Sequence, residues 1–200
     1  MVMLFLALLC VTAYAQDDYT VIKSRLSLEI PYSLGKHKAK SDNISGNLSW
    51  DPEGKSVTQA EFSLRAETLK IKDQKLKCHL LESLTLDYEK SDFPADHVCE
   101  DNILPASGKN SPAYPLISAK LLSPVKPGEE ARLEWSIHGK THAENIPLTI
   151  ALDDGAKTMT VKAKWKLRRS DFGIIVKKFL FIDADDSIPL ELTMTLEKKK

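Results

Sequence analysis

Cysteine is scarce in this chain: three among 200 residues, one of them, Cys10, inside an apolar leader. An excess of charge of either sign is missing too, because 28 Lys and Arg balance 28 Asp and Glu. Without net charge there is no long-range field to draw nucleic acid or an anionic bilayer, so no nucleic-acid partner is expected. Beyond residue 15 no apolar run is long enough to span a bilayer, which excludes a stable membrane-inserted helix. Catalytic signatures are absent as well: there is no G-x-S-x-G, C-x-x-C, H-E-x-x-H, Gly-rich phosphate loop or C-x-x-C-H. No enzyme, no catalytic residue, no metal and no cofactor is therefore assigned. Internal repeats and low-complexity segments are lacking.

What is present begins with "MVMLFLALLCVTAYAQDD". An apolar run followed by Ala13-Tyr14-Ala15 and then acids reads as a signal peptide, 1–15, cleaved before Gln16. The expected location is periplasmic or secreted, with 16–200 as one domain large enough for a real core. Two cysteines remain after cleavage, Cys78 and Cys99. In an exported chain such a pair reads first as a disulfide. Free thiols are the alternative, as is a metal site built from "CH" at 78–79 and "HVC" at 97–99, whose spacing matches none of the usual zinc patterns. Of the five histidines, His138 and His142 bracket "GKT" and are read as surface residues. The N-x-S sequons at Asn43 and Asn47 are read as chance matches.

Period-2 alternation dominates the rest. Leu26, Leu28 and Ile30 share a parity, as do Ile44, Gly46, Leu48 and Trp50, then Ala60, Phe62, Leu64 and Ala66. Leu133, Trp135 and Ile137 follow. Ile146, Leu148, Ile150 and Leu152 lead through "DDG", a hairpin signal, to Met159, Val161, Ala163, Trp165 and Leu167. Ile188 to Leu196 repeat the device. Strands with one apolar and one wet face mean antiparallel pairing. About eight of them in succession suggest a closed up-and-down barrel or a sandwich. One segment breaks the pattern: in 73–88, Leu76, Leu80 and Leu84 recur every fourth residue, a short amphipathic helix. The irregular 89–114 then reads as a long loop, tethered if Cys99 bonds Cys78.

In "RRSDFGI", 168–174, the apolar parity of the preceding strand runs on to Arg169 and Asp171. An inward charge is costly unless paired, so these two are expected to pair near one end of the barrel. Together with "IHGKT" (137–141), "YPLIS" (114–118) and "CHL" (78–80), this stretch resembles the YceI-like family of polyisoprenoid-binding proteins. The resemblance covers residues 19–197 and departs from the family pattern at Lys77, where an acid is usual, and in the longer stretch before "YPLIS".

The resemblance implies an all-β, lipocalin-like antiparallel barrel with one short helix, and an apolar tunnel that takes up an isoprenoid or fatty-acyl lipid. Head-group contacts are then assigned to Arg169, Asp171 and His79. The tunnel lining is assigned to Leu48, Trp50, Phe62, Leu64, Trp135, Ile150, Val161 and Trp165. The expected partner is a long-chain lipid, and a homodimer is compatible with this reading. The rivals are a structural or adhesion domain with a filled core, and an enzyme using Cys78 and His79.

Overall fold

The computed structural model describes residues 16–33, 35–153, 155–176 and 184–200; the leader expected at 1–15 lies outside them. The alternating segments become nine strands: β1 (Asp17–Tyr32), β2 (Gly35–Ser41), β3 (Ser45–Asp51), β4 (Ser56–Arg65), β5 (Leu116–Leu121), β6 (Glu130–Ile137), β7 (Lys140–Leu152), β8 (Thr158–Arg168) and β9 (Ser187–Lys198). All pairings are antiparallel, and β9 closes on β1. Along the other edge of β1, Leu26 faces Ser41 and Asp17 faces Trp50, which is one uninterrupted register. β2 and β3 are thus two halves of one strand, broken over residues 42–44, and the closed barrel has eight strands. Closure of β9 on β1 removes the long free edges that an open sheet would present, which is how such a sheet avoids aggregation.

Local chemistry sets the joints. Between β6 and β7, His138 and Gly139 both take positive φ (52° and 69°), the tight turn that suits the twist of a hairpin. Helix α1 (Gln74–Thr85) starts where the Asp73 side chain accepts a hydrogen bond from Leu76 N at 3.0 Å. It holds all three regularly spaced leucines and is shorter at both ends than the 73–88 segment read as helix. The DDG turn lies partly outside the described residues, but Asp153 Oδ1 accepts from Thr158 N across it.

The interior is not uniform along the barrel axis. At the end formed by the start of β1 and the end of β3, Tyr19, Leu48, Trp50, Val57, Ile150, Met159, Val161, Met194 and Leu196 pack into one buried cluster. Tyr19, wholly buried, donates its hydroxyl to Ala156 O at 2.7 Å. At the opposite end Leu80 and Leu84 of α1 lie against the barrel, packed with Leu64, Leu69, Trp165 and Leu190. The loop after α1 carries its own small core of Leu86, Phe93 and Val98, with Tyr88 and Leu104 against it. Among the described residues no helix is long and apolar enough to cross a membrane.

Candidate functional site

The lumen between the packed floor and α1 is lined differently from the floor. Phe62, Leu133, Trp135, Leu148, Trp165, Leu190 and Leu192 lie on the inward parity, yet each keeps partial exposure. Phe62, Leu133, Trp135 and Leu192 are paired on both edges, so their exposure is toward the lumen, whereas Trp165 is paired only toward β9 and, with Leu190, borders a recess in the wall. Of the lining residues expected from sequence, Phe62, Trp135 and Trp165 belong to this open zone, whereas Leu48, Trp50, Ile150 and Val161 form the floor and Leu64 is buried beneath α1.

One inward residue was not among those expected. Glu144 shares the face of Ile146 and Ile150 on β7 and lies directly across from Leu133. The signal was available, since the alternation starting at Ile146 extends backwards through Glu144 to His142. Trp135 on β6 and Trp165 on β8 flank β7, and their rings stack with centroids 5.4 Å apart. The indole Nε1 atoms of both, and Glu144 Oε1, are buried without a hydrogen-bond partner among the described residues. Burial pushes the Glu144 carboxyl above its ordinary pKa; Asp171 adds to this and His142 opposes it. Unpaired buried polar atoms cost stability, and native proteins keep them where something else meets them.

Strand β8 ends at Arg168, and Arg169–Phe172 turns as a 3₁₀ helix closed by Gly173 at φ 62°. The strand parity therefore stops one residue before Arg169, and the expected Arg169–Asp171 pair does not form. The Arg169 guanidinium instead donates to the carbonyls of Ile174 (3.0 Å), Ala184 (3.2 Å) and Asp185 (3.3 Å). It ties the turn after β8 to the segment entering β9. Asp171 lies 3.6 Å from His142 Nε2, and His142 is cross-strand from Trp135. His138 is not a surface residue: it is buried, its ring tilted 35° against Tyr88 with centroids 4.2 Å apart, and its Nε2 donates to Leu86 O at 2.8 Å. Burial lowers its pKa, with the Leu86 bond opposing.

Cys78 and Cys99 form a disulfide, which joins α1 to the long loop and leaves neither thiol for metal or catalysis. The readings that need a free Cys78 or Cys99 thiol, as metal ligand or as nucleophile, are thereby removed. His79 and His97 do come together, around Glu82, with the disulfide sulfur of Cys99 3.9 Å from His79 Nδ1. Glu82 is fully buried; its Oε2 contacts His79 Nδ1 at 2.8 Å and His97 Nδ1 at 2.9 Å. Its Oε1 accepts from Val98 N at 2.6 Å and Cys99 N at 3.2 Å. Burial pushes this carboxyl up, but the bonds to His79, His97 and Val98 N, with the nearby His97, outweigh it and hold its pKa below the ordinary value. His79 thus belongs to the joint between helix and loop. A recess of about 470 Å³ on the wall over β1, β8 and β9 is lined by Trp165, Pro189 and Leu190 together with Glu29, Lys164 and Glu191, so apolar side chains and charges share it.

Packed floor, partly exposed apolar zone and covering helix define a small closed eight-stranded antiparallel β-barrel. The model of the YceI-like domain matches residues 19–196, and the chain belongs to that family. Solved structures with the same fold include BcnA from Burkholderia cenocepacia (13% identity, 86% of this chain and 95% of that one covered, TM-score 0.61). A polyisoprenoid-binding domain from Saccharophagus degradans, implicated in plant cell wall breakdown, matches at 10% identity over 90% and 98% of the two chains, TM-score 0.61. The Campylobacter jejuni YCEI protein matches at 14% identity over 81% and 84%, TM-score 0.51. No curated protein matches the chain in sequence.

Proposed function

We propose that this protein is an exported carrier or sequestering protein for a long-chain lipid with an uncharged polar head group. The tail, isoprenoid or fatty-acyl, would occupy the zone lined by Phe62, Leu133, Leu148 and Leu192, gaining about 0.8 kcal/mol per CH₂ removed from water. A head-group hydroxyl or carbonyl would meet the two indole N–H donors and Glu144. The observation that carries this reading is the trio of buried, unpartnered polar atoms on an otherwise apolar inward face. Glu144 and Asp171 disfavour an anionic head there, and the Arg169 guanidinium is committed to main-chain carbonyls. Arg169, Asp171 and His79 are accordingly given supporting places, with Asp171 acting through His142. A location outside the cytoplasm is supported by the disulfide, which persists in oxidising compartments.

Native mass spectrometry of protein purified from its own host tests the reading. A mass increment that organic solvent removes, and that quenches Trp135 and Trp165 on re-addition, is expected. An empty barrel whose tryptophan fluorescence ignores polyprenols, quinones and fatty alcohols would overturn it and leave a structural domain.

A further inference from the structure

The cluster of His79, Glu82 and His97 lies apart from the lumen, in the layer between α1 and the loop. Each of the three offers one ligand atom, and these atoms lie within 4.8 Å of one another. Both imidazole Nδ1 atoms converge on the same carboxylate oxygen, and the rings lean on each other with centroids 4.2 Å apart. Convergence of this kind points three donor atoms at one volume. The side chains of His79 and His97 are 27% and 36% exposed while Glu82 is sealed, so solvent reaches the site from the imidazole side only.

We propose that His79 Nδ1, His97 Nδ1 and Glu82 Oε2 form a binding site for one divalent transition-metal ion of the zinc, nickel or copper type. Imidazole nitrogen with one carboxylate suits these borderline ions and does not suit calcium or magnesium, which want oxygen alone. Such ions hold nitrogen and oxygen ligands at about 2.0–2.2 Å. The donor contacts of 2.8 and 2.9 Å would have to open by a few tenths of an ångström, to about 3.3 Å in a tetrahedral site. Ligation through Nδ1 needs each neutral imidazole to carry its single proton on Nε2 instead, an exchange through solvent with no net proton release, and the carboxylate keeps its charge against the cation. The rest of the site is built already. Val98 N and Cys99 N hold Glu82 Oε1, orienting the carboxylate as outer partners orient metal ligands. The disulfide joins the residue before His79 to a residue two beyond His97, so the loop cannot carry one imidazole away from the other. Three protein ligands leave at least one position open to water or to a small exogenous ligand, the arrangement of reactive rather than purely structural sites.

The test uses the untagged, disulfide-intact full chain, stripped with a chelator and titrated with zinc, nickel and cobalt. One equivalent should bind, with visible ligand-field bands for cobalt. His97→Asn is the first variant, because this side chain is the most exposed of the three. Loss of an outer partner costs 10–100-fold in metal affinity, so loss of a ligand should weaken binding by about 100-fold or more. His79→Asn, with folding checked by circular dichroism, should do the same. His37→Asn, far along the chain on β2, should change nothing. Absence of stoichiometric binding, or binding that survives in the His79→Asn, His97→Asn double variant, would overturn the proposal.

Discussion

Glu144→Leu should make the protein more stable and a poorer binder. The wild-type carboxyl is held inside the barrel with Oε1 buried and unpartnered, and burial raises its pKa. Leaving a buried polar group unsatisfied costs about 1–3 kcal/mol, and more when it is charged. Leucine removes that cost and adds apolar contact beside Leu133. With a urea m-value of about 2 kcal/mol/M for a domain of this size, the midpoint should rise by about 0.5–1.5 M at pH 7.5.

The pH dependence has a definite sign. A carboxyl whose folded pKa is raised favours the fold below the unfolded value of about 4.5, and loses that contribution as pH rises through the folded pKa. The gain from leucine should therefore be largest at neutral pH and shrink toward pH 4. Urea melts at pH 7.5 and 4.5 measure this directly. Loss of a hydrogen bond to a charged or strongly polar group should also weaken hydroxyl-headed lipids by about 10-fold or more, with pure hydrocarbons unaffected. A lower midpoint at pH 7.5, or a gain that ignores pH, would refute the reasoning.

Three other perturbations bear on the frame around the lumen. Replacing both Cys78 and Cys99 by serine releases a loop spanning 21 positions and should cost roughly 3 kcal/mol in the chain-entropy model, read as a lower melting midpoint. Arg169→Ala removes three bonds to carbonyls and should destabilise by about 2–4 kcal/mol. It should change affinity for charged and neutral lipids alike; selective loss of anionic lipids would return Arg169 to the head group. His138, with its pKa lowered by burial, should withdraw stability as pH falls below the unfolded value of about 6.5 and through its folded pKa. In His138→Asn, which tolerates the positive φ, that part of the pH–stability curve should flatten at a cost of about 1 kcal/mol for the lost bond to Leu86.

The alternation of Leu26 to Ile30, Ile146 to Leu152 and Met159 to Leu167 was enough to define the antiparallel strands. A one-residue slip would turn each apolar set into water, so such a pattern admits one orientation. The cysteine count pointed to the disulfide for a chemical reason, two thiols in a chain read as exported. Closure into a barrel rather than a sandwich was not legible locally, because β1 meets β9 through contacts separated by most of the chain. Nor was the merger of β2 with β3, which depends on their common partner. Arg169 was misplaced because parity cannot reveal where a strand stops, and the turn begun there depends on carbonyls at 174, 184 and 185. Period and composition are properties of neighbours along the chain, and these determined the strands, the helix and the class of fold. Which inward residues fill the floor, which leave space, and which imidazoles share Glu82 are properties of neighbours in space. Only the tertiary structure decided them, since each depends on what arrives from a distant strand or loop.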